Sequence, residues 1–482
     1  MIVMMKKVLV LLIIQSCALI MRAQQLELSP IFASNMVIQQ QSDVEVWGWT
    51  APKSKVSLKC SWTKQKRTAI SDAHGKWKIM IQTPKASYTP LEMTIISGND
   101  CVVLTNILAG DVWLLGGQSN MQMSLNGNPD QPTKNAQQIL LRSNRNGIRL
   151  FRVQSDWAIE CSDTLRADGE WALADPAHVR EFSAVGYLFG EILNSLIDIP
   201  IGLVQVAHGG STVEAWIDRN SLAGIEGLQL NLDESKIDPI WYGASPFLLY
   251  NKMFHPLLPI KVKGVVWYQG ESNVERPEQY RTLFPLLISS WRRYLRDDNL
   301  PFYYTQIAPY NYANANSALL REVQLQVMQQ VPHTGMAVTL DVGEPDVIHP
   351  SDKETVAERL AYWALNKTYG ISAFECRGPE WKTINIVDGH LFLTFDYAPN
   401  GLSFFGKEVS GFEVAGDDKV FYPANARIKP SFWGNEGLEV WSEEVKNPVA
   451  VRYGFRNYVD GCLYNTFGLP ASSFRTDDWK FE

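Results

Sequence analysis

Between residues 24 and 106 the chain alternates hydrophobic and polar positions with a period of two. Val44-Glu45-Val46-Trp47-Gly48-Trp49 and Val56-Ser57-Leu58-Lys59-Cys60 are the clearest runs, and Leu91 to Ile96 is a looser one. Turn-forming clusters separate them, Asp72-Ala73-His74-Gly75 and Ser97-Gly98-Asn99-Asp100. Short alternating runs between such turns predict a small β-sandwich. From about residue 107 the pattern changes to continuous apolar runs: Val112–Leu115, Ile201–Val206, Val262–Tyr268, Phe302–Ile307 and Met336–Leu340. Between or after them lie helical patterns at Ala184–Ile197, Glu278–Leu295, Ala318–Val331 and Lys353–Tyr369. That alternation predicts an α/β domain over 107–371, with a parallel five-stranded sheet covered on both faces. Sites in such sheets gather at the carboxyl ends of the strands. After Gly370 two-residue alternation returns, at Leu391–Phe395 and Val449–Tyr453, and predicts a β-rich module over 372–482.

Residues 1–23 read as a secretory signal. Lys6 and Lys7 precede the apolar run Val8–Ile14, and Ala23 is the expected last residue before cleavage. Gln15, Ser16 and Cys17 interrupt the run, which suits a leader better than a membrane span. A secreted or periplasmic protein with no membrane segment in its mature form follows. The net charge of −7 becomes −10 once Lys6, Lys7 and Arg22 leave with the leader. An acidic surface of that size argues against nucleic acid as a partner. The five remaining cysteines (60, 101, 161, 376 and 462) are odd in number and widely spaced. They predict no zinc site, and free thiols more than a disulfide.

Four segments carry chemistry. In Leu115-Gly116-Gly117-Gln118-Ser119-Asn120-Met121 an apolar strand runs into two glycines, which brings the Ser119 hydroxyl to a strand end; a helix cap is the plainer role for it. In Asp346-Val347-Ile348-His349-Pro350 the Asp can fold back onto one imidazole nitrogen and leave the other free to take a serine proton. Asp341 and Glu344 compete for that place. In Trp267-Tyr268-Gln269-Gly270-Glu271-Ser272-Asn273 the Gln269 amide can donate to an oxyanion, whereas an ionised Glu271 cannot and is expected to orient or fix the loop. In Ala207-His208-Gly209-Gly210-Ser211-Thr212-Val213-Glu214-Ala215-Trp216 the Gly210 amide is a second donor, and His208 a rival base.

At these four segments the chain resembles the SGNH hydrolase superfamily and, within it, the sialate O-acetylesterase family of carbohydrate esterases. The resemblance extends into the tail, through Gly411–Gly416, Asn447–Tyr453 and Phe474–Trp479. It implies a flavodoxin-like, three-layer hydrolase core with N- and C-terminal β-rich accessory modules. By the same resemblance Ser119 is nucleophile, His349 general base and Asp346 its partner, while Ser119, Gly210 and Gln269 contact the oxyanion. Gln118, His208, Glu214, Trp216 and Glu271 are candidates for substrate contact or site support. The implied substrate is an O-acetylated glycan or sialic acid, most directly 9-O-acetyl sialic acids, with acetylated xylan as the alternative. No cofactor or metal is implied. Two other classes compete: a glycosidase using Glu271, Glu344 and Asp346, and a non-catalytic carbohydrate-binding protein.

Overall fold

The computed structural model describes residues 25–167, 171–429 and 437–480. The expected leader, residues 1–23, lies outside the described residues. The chain divides into two compact units, Met1–Gly110 with Gly169–Trp171, and Asp111–Asp168 with Ala172–Glu482.

The first unit is β-rich. Glu27–Leu28, Asp43–Trp49 and Lys76–Gln82 form one antiparallel sheet. Trp77, Ile79 and Ile81 are buried while Lys78, Met80 and Gln82 are exposed, as a period of two requires of a half-buried strand. Its turns have identifiable causes. Asp72 Oδ1 accepts from the amides of His74 at 2.8 Å and Lys76 at 2.9 Å. Lys55–Cys60 pairs with Lys66–Ile70 on one side and Ser87–Ser97 on the other.

In the second unit the sheet strands are β1 (Asp100–Gly117, through its residues 111–117), β2 (Arg145–Arg152), β3 (Ala172–Ala174), β4 (Ile201–Ala207), β5 (Gly264–Tyr268), β6 (Phe302–Thr305) and β7 (Thr334–Ala337). Their order is β3-β2-β4-β1-β5-β6-β7. All neighbours are parallel except β3, which runs antiparallel on β2. The expected five-stranded sheet is therefore corrected to six parallel strands with an antiparallel edge. The added strand β2 escapes a hydrophobicity reading because Arg145, Arg149 and Arg152 interrupt its apolar residues.

The helices that bear on the site are α1 (Ser119–Gln122), α2 (Ala184–Ile197), α3 (Pro277–Leu295), α4 (Ser317–Gln330) and α5 (Lys353–Trp363). Side-chain caps start three of them. Ser183 Oγ accepts from Gly186 N at 3.0 Å, Asn316 Oδ1 from Ala318 N at 3.1 Å and Asp352 Oδ1 from Thr355 N at 3.0 Å. On one face of the sheet, Trp113 and Leu115 of β1 share a core with α2 and α5. On the other, Gly116 lies so near α3 that a Cβ there would stand 3.0 Å from Trp291 Cη2. Among the described residues, no helix is long and apolar enough to cross a membrane.

The tail belongs to the same compact unit as the α/β sheet. Its antiparallel sheets (Glu380–Val387, His390–Asp396, Gly437–Trp441 and Asn425–Lys429; Phe421–Pro423, Phe412–Ala415, Ala450–Tyr453 and Phe474–Arg475) enclose a core that includes Leu340. Arg321 of α4 is wholly buried and donates to Ser473 Oγ at 2.8 Å and Gly454 O at 3.0 Å.

Candidate active site

Strand β1 ends at Gly117, where φ is +133° and a Cβ would stand 2.1 Å from Tyr268 O. Only glycine lets β1 end against β5 in that conformation. The chain then turns into Gln118, whose amide donates to Tyr268 O at 2.9 Å. The Gln118 Oε1 accepts from the amides of Gly270 at 3.2 Å and Ser272 at 3.3 Å. From the other side, His208 N donates to Gly117 O at 3.0 Å. Three of the four chemical segments are thus stitched together at the carboxyl end of the sheet, with Ser119 at the start of α1.

The fourth segment arrives through His349. Its Nε2 lies 2.8 Å from Ser119 Oγ. Its Nδ1 is hydrogen-bonded to Gln131 Oε1. An amide oxygen only accepts, so Nδ1 carries the hydrogen and Nε2 is left to accept from the serine hydroxyl. Burial lowers the imidazole from its ordinary value to about 4, and the nearby charge of Lys353 adds to the effect. The structure does not bring Asp346 to this ring. Glu344 and Val347 close a tight bridge, and Asp346 sits exposed at its tip with no hydrogen bond to His349 among the described residues. The competing carboxylates are engaged elsewhere: Asp341 takes two 2.7 Å hydrogen bonds from Arg359, and Glu344 Oε1 accepts from Ser351 N at 2.8 Å. His208 is stacked on Tyr242, with centroids 4.5 Å apart, and burial lowers it to about 4 as well.

Two amides at this rim are undirected, and the loop that carries one of them reaches the nucleophile, since a Cβ on Gly209 would stand 3.6 Å from Ser119 Cβ. Among the described residues, neither the Ser119 N–H nor the Gly210 N–H donates to a protein acceptor. Gly210 takes φ +70°, and its neighbour Gly209 donates to Gln122 Oε1 at 2.8 Å, which ties this loop to α1. Gln269 is different. Its Nε2 donates to Asn273 Oδ1 at 2.7 Å and Ser211 O at 3.2 Å, so neither hydrogen is left for an oxyanion. Asn273 in turn donates to Glu214 Oε2 at 2.9 Å, Arg276 pairs with Glu214 at 2.6 Å, and Trp216 Nε1 donates to Ser211 Oγ at 2.9 Å. Gln269, Glu214 and Trp216 therefore act as the frame of the loop that carries Gly210.

Beneath the nucleophile lies a buried polar cluster. Asn120 Nδ2 donates to Glu271 Oε1 at 2.7 Å and to Ile348 O at 3.1 Å, and Lys353 Nζ donates to Asn120 Oδ1 at 2.7 Å. Burial raises the Glu271 carboxyl and lowers Lys353 to about 7. Sequence reasoning assigned no role to Asn120, Gln122, Gln131, Asn273 or Lys353. Asn120, Gln122 and Asn273 lie within or beside the motifs and could have been weighed with them. Lys353 looked like an ordinary helix start, and Gln131, in a polar loop between Asp130 and Pro132, carries no pattern at all.

A serine hydroxyl on an imidazole at the rim of a parallel sheet, beside two undirected amides, is the equipment of a hydrolase that works through a nucleophile. The comparisons narrow the class. Residues 109–365 match the family model described as carbohydrate esterase, sialic acid-specific acetylesterase. The structure is similar to that of a carbohydrate acetylesterase from Xanthomonas citri, with a TM-score of 0.84 and 35% identity, covering 94% of this chain and 100% of that one. The mouse sialate O-acetylesterase is 29% identical over 424 residues, 75% of this chain and 77% of that protein. The human sialate O-acetylesterase is 28% identical over 399 residues, 75% of each. The chain belongs to the sialic acid-specific acetylesterase family of carbohydrate esterases, and is an ester hydrolase.

Proposed function

We propose that this protein is a secreted carbohydrate O-acetylesterase in which Ser119 and His349 perform the chemistry. The observation that carries the reading is the 2.8 Å approach of Ser119 Oγ to His349 Nε2, beside the undirected amides of Ser119 and Gly210. Ser119 Oγ attacks the acetyl carbonyl as its proton passes to Nε2, and the carbonyl oxygen takes hydrogen bonds from the two amides. The imidazolium returns that proton to the departing sugar oxygen. Water, activated by the same nitrogen, then releases acetate from Ser119. In the resting site Gln131 holds the required tautomer; Asp346, the partner implied by resemblance, is the alternative. Secretion rests on the leader pattern of residues 1–23. Two classes of sugar ester fit this chemistry: O-acetylated sialic acids, the class named for the mouse and human relatives, and acetylated plant polysaccharides such as xylan.

The test is Ser119→Ala. Acetate release from an O-acetylated sugar should fall by about 10³-fold or more, in line with losses seen when a serine nucleophile is removed, while the circular dichroism spectrum stays the same. Retention of more than a few per cent of the activity overturns the assignment. Release of reducing ends instead of acetate would return the glycosidase reading.

A further inference from the structure

Trp241 is 64% exposed and the preceding Ile240 is 71% exposed, an unusual display for two large apolar side chains in succession. Their turn is held by Asp238, whose Oδ1 accepts from Ile240 N at 2.8 Å and Trp241 N at 3.0 Å. The indole lies against the candidate oxyanion loop, since a Cβ built on Gly210 would stand 3.2 Å from Trp241 Cζ3. Behind it the aromatic surface continues. Tyr242 stacks on His208, and Trp157 lies 6.2 Å from Tyr242, centroid to centroid. An exposed indole against the candidate oxyanion loop is suited to the C–H face of a sugar ring, because it gives a large apolar contact area with few rotatable bonds.

Charge decides between sugars. The turn carries Asp233, Glu234, Lys236 and Asp238, and Lys236 is paired with Asp233 at 3.3 Å. Among the described residues, Arg219 of the neighbouring helix donates to the neutral Asn231 Oδ1 at 3.1 Å, and other cations around the site hold partners of their own. Lys353 donates to Asn120, Arg276 is paired with Glu214, Lys134 with Asp352 at 2.9 Å and Arg166 with Asp156 at 3.7 Å. A sugar bearing a carboxylate would approach a turn that carries Asp233, Glu234 and Asp238 against the one lysine, Lys236, already paired with Asp233, and like charges at close range repel.

We propose that Trp241 is the platform on which the ring of a neutral O-acetylated sugar stacks while its acetyl carbonyl sits between Ser119 and the Gly210 amide. This rests on the esterase reading above and names its substrate class. The experiment compares wild type, Trp241→Ala and Trp241→Phe on three esters: vinyl acetate, acetylated xylo-oligosaccharides and 9-O-acetylated N-acetylneuraminic acid. Wild type should show a higher kcat/KM on the xylo-oligosaccharides than on the sialate. Trp241→Ala should raise KM for the xylo-oligosaccharides about tenfold more than it raises KM for vinyl acetate, and Trp241→Phe should recover most of that difference. A sialate preference in the wild type, or equal effects of Trp241→Ala on the sugar ester and vinyl acetate, overturns the platform. If wild type hydrolyses none of the three, the esterase reading itself fails, and the two failures stay distinct.

Discussion

At His349, a half-buried imidazole whose Nδ1 meets an amide oxygen instead of a carboxylate has little to stabilise its charged form. Its ionisation is lowered from an ordinary value of ~6.5 to about 4, first by burial and then by Lys353. A base must be neutral to act, so kcat/KM should fall only as pH drops through about 4 and stay level from pH 5 to 7. The same shift costs stability in acid. As pH falls from ~6.5 the unfolded chain takes up a proton that the folded site refuses until about 4, so the folded state loses ground across that window. A pH profile on an aliphatic acetate checks the first point, and an acid limb near 6.5 or above would show that a carboxylate has reached the ring. Paired substitutions identify the partner. Gln131→Ala should lower kcat about tenfold or more by releasing the ring, whereas Asp346→Asn should change it by a few-fold at most; the reverse order restores Asp346. The pairing of Ser119 with His349 was legible because Ser119 follows the end of a sheet strand and His349 stands in a short Asp-x-x-His-Pro motif. The third group was not, since Asp346 has the right spacing and the wrong direction, a matter of how Glu344–Val347 turns.

Secondary-structure elements carry these residues to one place, and the loops between them are braced by side chains that do no chemistry. The α1 and α5 helices meet through one such brace, Lys353–Asn120–Glu271, with all three residues buried. The charged groups that act on Lys353 are Glu271 and Glu344, and it acts in turn on His349. Lys353→Met removes a positive charge that disfavours the imidazolium, so the acid limb of kcat/KM should move to higher pH. An unmoved limb alongside a lowered melting temperature would assign Lys353 a purely structural role. Long periodic elements were readable in advance: α2 runs over Ala184–Ile197, and α3 and α4 begin within a residue of expectation. Strand β2 was not, because an arginine-rich strand near the edge of a sheet does not look like a buried parallel one. Nor was the use of Gln269, whose motif marks it as a donor without showing that Asn273 and Ser211 receive the hydrogens.

On the scale of the whole molecule, the alternating pattern after Gly370 marks β structure but is silent on what that structure packs against. Periodicity reports which face of a strand is buried, not what buries it. Here part of what the tail covers belongs to the α/β core. Leu340, in the segment between β7 and His349, is 0% exposed and shares a core with Leu391, Val414, Leu438 and Tyr453. Arg321 of α4 is wholly buried, and burial lowers its guanidinium to about 10. Besides Ser317 it relies on acceptors from the tail: Ser473, Gly454, Arg456 and Asn457. Glu322 adds an ion pair with Arg475 at 2.8 Å. Losing the partners of one buried charge costs on the order of 3–5 kcal/mol, and uncovering a leucine ~2 kcal/mol more, against a total stability of ~5–15 kcal/mol. A chain ending at residue 371 should therefore fail to fold cooperatively, and because Leu340 leads toward His349, any soluble remnant should lack esterase activity. Arg321→Met in the full chain, which removes the donor but keeps the tail, should lower the melting temperature while leaving a folded, weakened enzyme. Thermal melts followed by circular dichroism, with acetate release on the same samples, test both. A fragment ending at 371 that melts cooperatively and hydrolyses acetate at the wild-type rate would make the tail an independent module after all.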